Sequence, residues 1–205
     1  MVRRNIEALP IALIALRAAA APALILAEMF GAPGLLLAGI VAVAFVSDVF
    51  DGVIARLLGS TTDALRSADS IVDTIFYVAA VIALVLRSPA VINANAPGVA
   101  IVLGLEVIRQ VIERKKYGRM AAYHMWSAKL WGITLLFGFL EAFLTGKPGM
   151  FFTSAVFMGI VTDIEGLAAS LVLSRWHHDV PTIWHAVRLE RDTSAEDRPA
   201  TSQHP

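Results

Sequence analysis

Residues 48–73 read DVFDGVIARLLGSTTDALRSADSIVD and set Asp48, Asp51, Asp69 and Asp73 at the edges of two strongly apolar segments. If both segments are helical, Asp48 and Asp51 stand at i,i+3 and Asp69 and Asp73 at i,i+4, so each pair shares one face. Two such faces turned toward each other form a cage of hard oxygen donors. Carboxylates this close repel one another in a low-dielectric medium unless cations sit between them. Mg2+ or Mn2+ suits such a cage, because both take octahedral oxygen coordination and keep positions open for phosphate oxygens.

The rest of the chain says where that cage lies. With 57% hydrophobic residues among 205 and a mean hydropathy of +0.68, the chain is too apolar for a soluble domain and reads as an integral membrane protein. It has no cysteine, which excludes disulfides, thiolate metal sites and a cysteine nucleophile. Six apolar segments of roughly 20 residues predict an all-α bundle of transmembrane helices: Leu9 to Ala27, Leu35 to Leu58, Ala68 to Leu86, Pro97 to Ile112, Trp126 to Leu144 and Phe151 to Leu173. Gly and Pro cluster between them, as at residues 31–34 and 146–149. Arg3 and Arg4 ahead of an apolar run imitate a secretory signal, but the run continues past Arg17 to Ala27, long enough to span. Interfacial helices are expected at the termini, over Asn5 to Leu9 and Asp179 to Leu189. In the latter, Val180, Ile183, Trp184 and Val187 share a helical face. The expected organisation is one transmembrane domain over 1–192 and a disordered polar tail over 193–205.

Charge sets the orientation. The loops after the first, third and fifth spans carry only Arg87 and Lys147, whereas the opposite ends carry Arg3, Arg4, Arg56, Arg66, Arg114, Lys115, Lys116, Arg119, Arg175, Arg188 and Arg191. The positive-inside rule then puts the latter ends, and with them both aspartate pairs, on the cytoplasmic side of a cell membrane. A water-soluble nucleotide could there meet a lipid of the same leaflet.

The spacing Asp48, Asp51-Gly52, Ala55-Arg56, Asp69, Asp73 resembles the signature of the CDP-alcohol phosphotransferases, membrane enzymes that build phospholipid head groups. Seven of eight signature positions match, and Leu65 stands where the family has a glycine. Pro10, Arg17 and Pro22 are similar to landmarks of the family's opening helix. The resemblance implies transfer from a CDP-lipid, such as CDP-diacylglycerol, to a small polar alcohol or phosphorylated polyol, with release of CMP. It implies two ions, with Asp48 and Asp69 bridging both, Asp51 completing the first and Asp73 the second, and with Asp73 as the base. It also implies that Gly52, Ala55, Arg56 and Thr62 line the CDP-lipid site, and that the protein is a homodimer. Arg109, Lys129 and Arg175 resemble by location the pocket that binds a phosphorylated acceptor such as glycerol 3-phosphate. Each also has a plain explanation: helix packing for Gly52, a turn for Thr62, and snorkelling to head groups for the basic residues.

Glu106, Asp163 and Glu165 lie within apolar segments and are expected to neutralise buried cations. The run from Glu113 to Arg119 reads as a solvated, lipid-attracted loop rather than a nucleic-acid site. The histidines show no ligand spacing. An intramembrane Mg-dependent prenyltransferase also uses aspartate-rich helices, but with motifs far apart in sequence. A cation-coupled transporter would place its charges near the bilayer midplane, on interrupted helices.

Overall fold

The computed structural model describes residues 9–58, 63–119, 123, 125–177 and 179–196; side chains at 51–53, 55–58, 63–67, 70 and 194–196 also lie outside the described set. Among the described residues the regular structure is entirely helical: α1 (Leu9–Met29), α2 (Gly34–Leu58), α3 (Asp63–Arg87), α4 (Pro89–Ala94), α5 (Ala96–Tyr117), α6 (Trp126–Thr145), α7 (Met150–Val172) and α8 (Ile183–Glu196). The expected segment at Asn5 to Leu9 falls almost wholly outside it, as do residues 197–205.

All six predicted segments are helical. By length and composition α1, α6 and α7 can each cross a membrane, and Gly34–Phe50 of α2 is a shorter apolar stretch. At 25 residues each, α2 and α3 are about 38 Å long at 1.5 Å per residue. That exceeds a hydrocarbon core of about 30 Å.

Each end has a local cause. The helix α1 closes in a Schellman turn, with Ala32 N–H donating to Ala27 O (3.0 Å) and Gly31 N–H to Glu28 O (2.9 Å). Gly31 takes φ +72°, which a side chain would strain. Pro97 opens α5 without wasting a donor, and Gly118, left-handed, closes it with its N–H on Arg114 O.

The chain forms two compact units, residues 1–94 with 135–153 and residues 95–134 with 154–205. In the first, α1 packs against both α2 and α3. Ala21, Ala38, Ala44, Ala79, Ala80 and Ala83 are at most 4% exposed, and such small side chains let helix backbones approach closely where lipid supplies no hydrophobic drive. Leu26, Leu36, Val43, Val46 and Val78 point outward, the pattern of a lipid-facing surface. Arg87 fastens one end of this unit, donating to Glu28 (3.1 Å) and to the carbonyls of Ala32 and Phe143. Glu141 of α6 accepts the free N–H groups of Phe151 (2.8 Å) and Phe152 (3.1 Å) at the start of α7, a favourable place for a negative charge.

In the second unit, Tyr123, Met125, Ala169, Leu173, Val180 and Ala186 form a core against which Ile183 and Leu189 pack. The sequence pattern groups Val180, Ile183, Trp184 and Val187; the structure divides them. Val180 precedes the helix and is buried, while the inward face of α8 runs Ile183, Ala186, Leu189 and leaves Trp184 79% exposed. Glu165 accepts the Ile183 N–H (3.1 Å), capping α8 rather than neutralising a cation.

The run from Glu113 to Arg119 also differs from expectation. It is helical through Tyr117, and Glu113 is wholly buried. The reason is the donors around it: Ser170 gives its hydroxyl hydrogen to Glu113 (2.9 Å), and Tyr123 then donates to Ser170 (3.0 Å). Lys116 reaches the carbonyls of Ser170 and Leu171, and Tyr117 those of Ser170 and Leu173, covering the C-terminal end of α7.

Candidate metal centre

Three of the four expected aspartates converge. One carboxylate oxygen from each of Asp48 on α2 and Asp69 and Asp73 on α3 lies within 4.8 Å of the other two, a grouping that could hold a metal ion. The i,i+4 spacing puts Asp69 and Asp73 one turn apart on one face of α3. The packing of α1 against both neighbours brings Asp48 to that face. Asp51 follows Asp48 by three residues on α2, but its side chain lies outside the described set, as do those of Ala55 and Arg56. The surroundings of Gly52 fall outside it as well, and Thr62 does so altogether.

The residue that joins the three carboxylates is Arg17, from the middle of α1. Its guanidinium donates to Asp48 Oδ1 (2.6 Å), to Asp69 Oδ1 (2.7 Å) and to Asp73 Oδ1. Its side chain is 2% exposed, whereas those of Asp48, Asp69 and Asp73 are 37%, 33% and 30% exposed. The acids therefore line an open surface with the arginine sealed beneath. Three carboxylates against one guanidinium leave two formal negative charges, which together with an all-oxygen donor set fits a hard divalent cation.

By its spacing from Pro10 and Pro22, Arg17 reads in the sequence only as a landmark of its helix. A sharper signal was available: one arginine midway along an Ala- and Leu-rich run is costly in a bilayer and implies a carboxylate partner.

The expected acceptor residues have other company. Arg109 of α5 bonds Glu106 one turn earlier, lies 3.5 Å from Glu113 and 3.8 Å from Asp163 of α7, and packs its Cδ against Gly166. A Cβ on Gly166 would approach that carbon to 3.1 Å, so a small residue is what lets the arginine lie there. Lys129 is exposed, its ammonium 4.3 Å from the centre of the Trp126 ring, and Arg175 is exposed.

A profile of the CDP-alcohol phosphatidyltransferase family matches residues 7–184, from before α1 into the first turn of α8. The chain belongs to the CDP-alcohol phosphatidyltransferase family. No curated protein and no solved structure gives a significant match. As a CDP-alcohol phosphatidyltransferase, it is a membrane transferase of phospholipid synthesis that moves a phosphatidyl group from a CDP-alcohol to an acceptor. Membership favours this activity over the prenyltransferase and transporter alternatives. In this CDP-alcohol phosphatidyltransferase Asp48, Asp69 and Asp73 share α1 as their common support.

Proposed function

We propose that the protein transfers the phosphatidyl group of a CDP-lipid, with CDP-diacylglycerol the leading candidate, to the hydroxyl of a small polar acceptor at the cytoplasmic face of a cell membrane. The observation that carries this is the meeting of Asp48, Asp69 and Asp73, from two helices, within 4.8 Å of one another. Asp51 joins them as a fourth ligand. Bound there, Mg2+ or Mn2+ would offset charge on the pyrophosphate oxygens and ease departure of the nucleotide.

The chain's own residues do the rest. Arg56, one turn beyond Gly52 on α2, holds phosphate oxygens. Gly52, which lacks a side chain, and Ala55, with only a methyl, leave room for the cytidine, and the Thr62 hydroxyl contacts the nucleotide. Asp73 takes the proton of the acceptor hydroxyl as that oxygen bonds to the lipid-side phosphorus. The bond from that phosphorus to the bridging oxygen breaks, and CMP leaves with the electron pair. At 30% side-chain exposure, Asp73 is accessible to an acceptor arriving from water. The positive-inside pattern supports the cytoplasmic orientation.

The test uses purified protein in detergent with CDP-diacylglycerol and, separately, glycerol 3-phosphate, inositol phosphate and serine. CMP release with one acceptor, abolished by EDTA and restored by Mg2+ or Mn2+, is the expected result. Undiminished release in EDTA would contradict the metal role. Pyrophosphate formed from a prenyl pyrophosphate, with no CMP from any CDP-lipid, would contradict the transferase assignment.

A further inference from the structure

Arg17 has no task in that reaction, yet among the described residues of the site it is the most enclosed charge. It arrives from α1, a helix that contributes none of the aspartates, and contacts acids on both α2 and α3. We propose that Arg17 is the resident counter-charge of the centre: it braces α2 against α3 through their carboxylates, and it competes with divalent cations for those same groups. The inference rests on the metal role proposed above.

The physical grounds are charge and geometry. Three carboxylate oxygens within 4.8 Å of one another cannot all stay ionised and close in a bilayer without positive charge among them. Arginine is the side chain that supplies it permanently, because its guanidinium does not deprotonate and its planar fork can address several oxygens at once. Both terminal nitrogens are used, one toward Asp48 and Asp73 and the other toward Asp69. A cation drawing one oxygen from each aspartate must share carboxylates that Arg17 already binds, and it meets like charge at that distance. Arg17 therefore weakens ion binding while holding the ligands in place. Such a centre would keep its geometry between turnovers and exchange its ions readily.

The competition predicts opposite changes in two measurements on purified protein in detergent. Arg17→Gln should lower the unfolding temperature in EDTA, where bracing matters most, and Mn2+ should recover more of the loss than it adds to wild type. The same variant should bind Mn2+ tighter by about tenfold or more, read from the free Mn2+ signal in electron paramagnetic resonance, because a like charge is gone. Arg17→Lys keeps the charge but loses the fork, so it should lower the unfolding temperature in EDTA and leave Mn2+ affinity within about threefold of wild type. Unchanged or weaker Mn2+ binding by folded Arg17→Gln would overturn the competition. If that variant does not fold, a tenfold change in affinity for Arg17→Lys would overturn it, as would an unaltered unfolding temperature in EDTA. Wild-type protein that binds no Mn2+ would instead refute the metal role itself, a result distinct from equal binding by wild type and variant.

Discussion

Replacing Arg109 with methionine separates two roles for this residue by an amount that can be worked out. Arg109 bonds Glu106 and lies 3.5 Å from Glu113 and 3.8 Å from Asp163, two acids that are 0% and 1% exposed. Methionine fills much of the same volume but leaves these acids without their cation. Breaking a buried ion pair by removing one partner costs about 3 to 5 kcal/mol. Each kcal/mol lowers the unfolding temperature of a chain this size by about 2 to 4 °C, so Arg109→Met should lose about 6 to 20 °C. Arg109→Lys, which keeps the charge, should lose less. The assay is thermal unfolding in detergent, paired with the acceptor KM of whatever protein remains folded. An Arg109→Met variant that unfolds within about 2 °C of wild type, yet shows an acceptor KM raised tenfold, would refute the bracing role. It would make Arg109 an acceptor ligand, as its position in the sequence suggested.

Other parts of the account predict smaller, separable effects. Asp73→Asn should keep CDP-lipid binding, measured by displacement of a labelled analogue, while CMP release falls by at least about a hundredfold, the usual worth of a positioned base; near-normal turnover would remove Asp73 from that role. Glu141→Ala strips the cap from two N–H groups at the start of α7 and should cost about 1 kcal/mol, with Glu141→Gln costing less, both read from unfolding temperatures. Equal effects of the two would mean that the carboxylate charge contributes nothing. Glu190 accepts the backbone N–H of Ser174 (2.7 Å), a bond that holds its carboxyl below the ordinary value of 4.5. A depressed folded-state value stabilises the docking of α8 above about pH 4.5, and the contribution is lost as pH falls through the lower folded value. Amide hydrogen exchange in α8 should accelerate only in that acidic window, and Glu190→Gln should abolish the step; loosening that begins above pH 5 would assign it to another group.

The helices and the shared face of Asp69 and Asp73 were legible because each depends on local periodicity. Apolar runs punctuated by Gly and Pro give helix positions directly, and i,i+3 and i,i+4 spacing gives shared faces before any packing is known. What the sequence could not show is which distant charge meets which face. Arg17 lies 31 residues before Asp48 and 56 before Asp73, and only the packing of α1 between its neighbours unites them. Glu113 misled for a related reason, since it heads a basic run that looks solvated. Its burial follows from Ser170 and Tyr123, which no local pattern connects to it. A tally of intramembrane charge would have narrowed both cases, because an acid in lipid demands a cation or a hydrogen-bond donor nearby.

The most direct examination of the centre is crystallographic, with protein crystals soaked in Mn2+ and data collected at the manganese absorption edge. The account predicts an anomalous peak coordinated by oxygens of Asp48, Asp69 and Asp73 at about 2.0 to 2.3 Å, the range of hard divalent ions with carboxylates, and its loss in Asp69→Asn. A peak elsewhere on the molecule, with these three carboxylates still joined to Arg17 at saturating Mn2+, would contradict it.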